Sequence, residues 1–161
     1  MGFTTTMTQP TYPQTFRKTI QINAPVSIVW NALTDPAIMK KWMAETDIDI
    51  LTDWQVGSPF TIRGSLHGIK FENRGTVVQF DPEKLLCYTH LSSISRLPDT
   101  PESYSALAFE LVPLEDQTVL TVTVSHFATE TIYKHMAFYW NVTPGILKKL
   151  IEQQNDDETL Q

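Results

Sequence analysis

The sequence has 161 residues, 42% hydrophobic and 19% charged, which is enough apolar material for one domain that folds alone and excludes a disordered chain. Twelve Lys and Arg stand against eighteen Asp and Glu, a net charge of -6, with no basic run interleaved with aromatic residues, so no nucleic-acid partner is expected. The single Cys87 cannot form an intrachain disulfide and no apolar stretch approaches the ~18 residues of a membrane span; the expectation is a cytoplasmic protein without membrane attachment.

Residues 1–14 form a polar leader rich in Thr, Pro and Gln, read as a flexible tail. Its start, Met1-Gly2-Phe3-Thr4-Thr5-Thr6, fits a loose N-myristoylation pattern because a Thr-rich leader supplies the hydroxyl by chance. From Phe16 the chain alternates, with Phe16, Lys18, Ile20 and Ile22 on one face, which predicts a strand with that face inward. At Asn23-Ala24-Pro25 the period turns helical: Val26, Val29, Trp30 and Leu33 follow the i, i+3, i+4, i+7 rule, and Pro25 suits a first turn. Thr34-Asp35-Pro36 ends this helix and starts another that carries Ile38, Met39 and Trp42, because Asp caps free amides and Pro cannot extend the preceding ladder.

Six strands follow in meander order, Asp47 to Leu51, Ser58 to Gly64, Lys70 to Phe80, Leu85 to Leu91, Ser103 to Leu111 and Thr118 to Phe127. The short turn signals between them imply antiparallel neighbours. The last element, about Thr129 to Gln153, puts Ile132, Met136, Tyr139, Trp140, Thr143, Leu147, Leu150 and Ile151 on one stripe of a long helix. Pro144 inside it predicts a bend or local break near Trp140 to Pro144. The Asn141-Val142-Thr143 glycosylation match falls in this helix and is read as unmodified. One domain over 15–153 and an acidic tail over 154–161 complete the organisation.

One strand, two short helices, a meander and a long final helix make an α+β domain in which a curved antiparallel sheet can wrap the C-terminal helix. Ile22-Asn23-Ala24-Pro25-Val26, Val29-Trp30, Leu33-Thr34-Asp35-Pro36 and Lys41-Trp42 come first, then Val56-Gly57-Ser58 and Gly75-Thr76-Val77 before Asp81-Pro82-Glu83-Lys84-Leu85. Thr118-Val119-Leu120-Thr121-Val122 and the Trp140 helix with Leu147 and Leu150 close the series. In this order and spacing they resemble the START and birch-pollen-allergen (SRPBCC) superfamily over about residues 15 to 153, and the resemblance implies its helix-grip fold, a curved antiparallel sheet around the long C-terminal helix. The branch they resemble is the one related to the activator of the heat-shock-protein ATPase, also called polyketide-cyclase-like.

A sheet gripping a helix leaves a mostly apolar hollow suited to a small ligand. Apolar phase turns Phe60 and Ile62, Phe109, and Tyr88 with His90 toward it, and carries His126 onto the same face at the end of the last strand. Met136, Tyr139 and Trp140 face it from the helix; Phe71 joins them with its register open, and Trp42, ending its helix near a turn, is a candidate for the cavity mouth. A neutral imidazole there can orient a ligand or shuttle a proton. The expected function is binding of a small, largely apolar molecule by a carrier or sensor, as monomer or homodimer. No cofactor is implied, and the histidines show no metal-ligand spacing. The resemblance implies two alternatives. One is a cyclase- or hydrolase-like enzyme using His90 or His126 with Tyr88 or Tyr139; the other is a co-chaperone-like interaction protein, although only about 14 residues precede the first strand where such activators carry a separate N-terminal domain. Cys87, inside an apolar run, reads as a small buried hydrophobe without chemistry.

Overall fold

The alternation after Thr15 becomes strand β1 (Thr15–Ile22), in which Phe16, Lys18 and Ile20 are half-buried and Ile22 is buried. These positions come from a computed structural model that describes residues 11–159; the Met1-to-Thr6 motif lies outside them. Within the leader, Tyr12 is tied down: its hydroxyl donates to the Phe127 carbonyl at 3.1 Å and its ring stacks on Tyr133 at 5.9 Å.

Helix α1 (Val26–Thr34) buries Val29, Trp30, Ala32 and Leu33. A single residue joins it to α2 (Pro36–Met43), which buries Met39, Trp42 and Met43. The Asp35 backbone amide donates to Asn31 O at 2.9 Å, closing α1, while its carboxylate accepts from the Ala37 amide at 2.9 Å, opening α2. Pro36 occupies the first turn, where no amide is needed.

The strands β2 (Ile48–Leu51), β3 (Pro59–Leu66), β4 (Ile69–Asp81), β5 (Leu85–Ser92), β6 (Ser105–Leu114) and β7 (Gln117–Ser125) form the meander. With β1 they make one seven-stranded sheet in the order β1-β7-β6-β5-β4-β3-β2, every pair antiparallel. The β3–β4 connection is the two-residue turn His67-Gly68 with both φ positive, 51° and 80°, the geometry that matches the twist of a hairpin. β6 starts at Ser105 rather than Ser103 because Pro101–Ser103 forms a 3₁₀ turn. In β4 the register shifts between Val77 and Gln79, so Val77 and, three residues on, Phe80 both turn inward. At Gly75 the neighbouring strand comes so close that a Cβ would stand 1.7 Å from the Thr89 carbonyl oxygen, which excludes any side chain.

Helix α3 (Glu130–Thr159) begins where Thr129 Oγ1 accepts from the Ile132 amide at 3.1 Å. It runs through Pro144 without interruption and past Gln153, so the expected local break does not occur. Proline removes one amide donor, and the turns around it are held by burial of Trp140, Thr143, Leu147 and Ile151. Polar contacts lace the helix to β1 and to Asn23, the residue that follows that strand. Lys18 Nζ donates to Asn141 Oδ1 at 3.3 Å, Lys148 Nζ to Gln21 O at 2.7 Å, and the Asn23 amide to Glu152 Oε1 at 2.9 Å. The core lies between the inner sheet face and the three helices, with Phe60, Leu86, Leu107, Phe109, Leu120 and Leu147 among its most buried side chains.

Candidate functional site

The inner face is organised around a row of aromatic rings. Trp30 packs edge-on against Phe80 at 5.2 Å, Phe80 stacks on Trp54 at 5.6 Å, and Trp54 on Phe60 at 5.4 Å. Phe60 meets Tyr88 at 4.4 Å, Tyr88 meets Phe109 at 5.7 Å, and Phe109 meets Trp140 edge-on at 5.4 Å. Such contacts add to area burial, and they make Phe60, Phe109 and Trp140 principally core.

Sequence reasoning missed Trp54, which lies in a polar loop with a left-handed backbone (φ 57°) and donates its indole N–H to Thr34 O at 2.7 Å. A tryptophan between turn residues was the available signal. Trp42, expected at a cavity mouth, is 4% exposed and donates its indole N–H to Ala32 O at 2.9 Å. It pins α2 to α1. Ile62 and Met136 are buried, and the register of Phe71 is resolved: it pairs with Gly64, over which its ring lies, on the same face as Ile62 and the buried Ile48.

His126 is exposed, contrary to expectation. β7 stops at Ser125, and the positive φ of 61° at His126 breaks the alternation, so Phe127 takes the buried place and packs edge-on against Tyr133 at 5.1 Å. His90 does face inward. It pairs with the buried Ser105 across β5 and β6, one step from the Tyr88–Leu107 pair. Its half-buried ring makes no hydrogen bond among the described residues, and burial lowers its pKa to about 4, so it is neutral at pH 7.

Two further polar groups share this situation. The Tyr88 side chain is largely buried and its hydroxyl makes no hydrogen bond among the described residues; burial, with Tyr139 nearby, raises its pKa well above the usual phenol range. Asn73, which sequence reasoning also missed, pairs with Ile62 on one side and Ser92 on the other, so it stands one diagonal from His90. Its Oδ1 is buried and unpartnered among the described residues. Tyr139 is satisfied: its hydroxyl donates to Met43 O at 2.5 Å, and burial raises its pKa to about 12.

Residues 23–152 match the family model described as Activator of Hsp90 ATPase homolog 1-like protein. The chain belongs to that family. It thereby joins the SRPBCC superfamily, with the helix-grip arrangement described above. The solution structure of a Cytophaga hutchinsonii protein is 31% identical, covers 89% of this chain and 97% of its own, and superposes with a TM-score of 0.76. A structure described as the Aha1 dimer from Colwellia psychrerythraea is 26% identical over 86% of this chain and 96% of its own, with a TM-score of 0.66. CalU16 from Micromonospora echinospora shares the fold at 20% identity over 85% of this chain and 73% of its own, with a TM-score of 0.66. No curated protein sequence matches. No helix among the described residues is long and apolar enough to cross a membrane.

Two concavities open on the surface. One, of about 510 Å³, lies over Trp30, Ile38 and Ile151; the other, of about 540 Å³, is lined by Phe71 with Ile48, Asp49 and Arg63.

Proposed function

We propose that the protein binds a small, largely apolar molecule between the inner sheet face and α3, as a cytoplasmic carrier or sensor. The observation that carries this reading is the set of Asn73, Tyr88 and His90. Buried polar groups are nearly always hydrogen-bonded, yet Asn73 Oδ1 is buried and unpartnered among the described residues, and the His90 ring and Tyr88 hydroxyl on the same sheet face make no hydrogen bond there either, Tyr88 beside Phe60. Members of the family generally bind hydrophobic ligands, which agrees. Self-association as a homodimer is the matching expectation from the Colwellia protein.

The titration of the site favours binding over catalysis. General acid–base groups work best with pKa values near the operating pH, whereas His90 at about 4 and Tyr88 above the phenol range both sit far from neutrality. They are better suited to donating and accepting hydrogen bonds than to moving protons. The reading is tested by thermal-shift screening of hydrophobic molecules against the full chain, with native mass spectrometry of gently purified protein for retained molecules. A stabilising molecule whose effect weakens in His90→Ala supports it; conversion of that molecule, lost in His90→Ala while binding survives, replaces it with the enzyme reading. No shift with any molecule and no retained mass would end it.

A further inference from the structure

The ligand reading leaves the chemistry of the molecule's polar end open, and the charge distribution around Asn73 narrows it. From β3 to β7 the inward positions are held by apolar, aromatic, Gly, Ser, Thr, Asn and His residues, with no carboxylate and no Lys or Arg among them. The inward stripe of α3, from Ile132 through Leu147, carries no charge either. The charges beside Asn73 in sequence are committed on the outer face. Glu72 accepts from Arg74 at 2.6 Å and from Arg63 at 2.9 Å, and Arg74 reaches Asp99 at 3.3 Å.

A carboxylate seated against Asn73 would give up its water without gaining a counter-charge, and it carries no hydrogen to offer the unpartnered Asn73 Oδ1. An uncharged hydroxyl fits the same place. Its hydrogen completes the unpartnered Asn73 Oδ1, and its oxygen can accept from the His90 ring one diagonal away. Resting on the ligand reading above, we infer that the bound molecule carries a neutral hydroxyl or phenol head seated against Asn73, and that the site discriminates against carboxylates of the same shape.

The test uses three molecules that differ in that group alone: naphthalene, 2-naphthol and 2-naphthoate, titrated calorimetrically into the full chain at pH 7.5. 2-Naphthol is expected to bind about three- to ten-fold more tightly than naphthalene, the worth of one net hydrogen bond. It should exceed 2-naphthoate by at least about ten-fold. Asn73→Leu should abolish the preference for 2-naphthol, bringing the ratio of the two affinities to about one. Because that substitution removes an unpartnered buried oxygen, the ligand-free variant should melt no lower than the parent; the comparison of the three molecules on the parent chain needs no variant. Naphthalene equal to 2-naphthol, 2-naphthoate equal to 2-naphthol, or an unaltered preference in Asn73→Leu overturns the head-group assignment while leaving apolar binding in place. If none of the three binds, the underlying ligand reading falls and this inference falls with it.

Discussion

His90 makes the folded chain sensitive to acid. Its pKa is about 4 when folded against 6.5 for an ordinary histidine, so above pH 6.5 it is neutral in both states and contributes no pH dependence. As pH falls from 6.5 toward 4 the unfolded chain takes up a proton that the folded chain refuses, and stability drops. Since part of the ring remains in water, the loss is roughly 2 to 3 kcal/mol rather than the full value of the shift. Urea denaturation at pH 7, 5.5 and 4 should show this loss in the parent and a smaller one in His90→Gln; equal losses would remove His90 as its source. Strand alternation makes Tyr88 and His90 legible as inward residues from sequence alone. The same rule fails at His126, because one left-handed residue ends the phase and nothing in Ser125-His126-Phe127 announces it. Asn73 escapes for a different reason. The register shift after Val77 puts apolar residues at both odd and even positions of β4, so no single face stands out in the sequence and a polar side chain in the inward phase goes unmarked.

Among the elements, α3 departs most from sequence expectation. Local rules weigh the amide that Pro144 lacks and omit what the helix rests on: Trp140 and Thr143 before it, Leu147 and Ile151 after it, all buried. Tertiary packing outweighs the local defect, and the helix continues. Restoring the donor should therefore help. Pro144→Ala is expected to stabilise the chain by about 1 to 2 kcal/mol, less than the ~3 kcal/mol of an interior proline because Pro144 is itself buried and stiffens the unfolded chain. Thermal melting reads the change, and a lower midpoint would mean that the proline ring is needed as packing. By contrast, the junction of α1 and α2 is legible in full: Thr34-Asp35-Pro36 contains the cap, the stop and the first-turn proline, because each acts within three residues.

For the whole molecule, Trp140 is the point where helix and sheet meet, with its ring edge-on to Phe109 of β6 and to Tyr139 of its own helix. Trp140→Ala should cost about 3 to 5 kcal/mol, the usual loss for a buried aromatic; a near-unchanged urea midpoint would show that the ring borders open space. Element order, strand count and the gripping helix are legible because each rests on periodicity and turns. How the rings fill the interior is not, since Trp54 enters the row from a loop whose path no period describes. Sheet order carries a last consequence, for the chain as it is synthesised. Among the described strands β1 pairs only with β7, with Thr15 opposite Ser125 and Ile22 opposite Thr118. β1 is therefore made about a hundred residues before its partner and stays unpaired until β7 has emerged, and a pairing of such sequence separation is of the kind that slows folding.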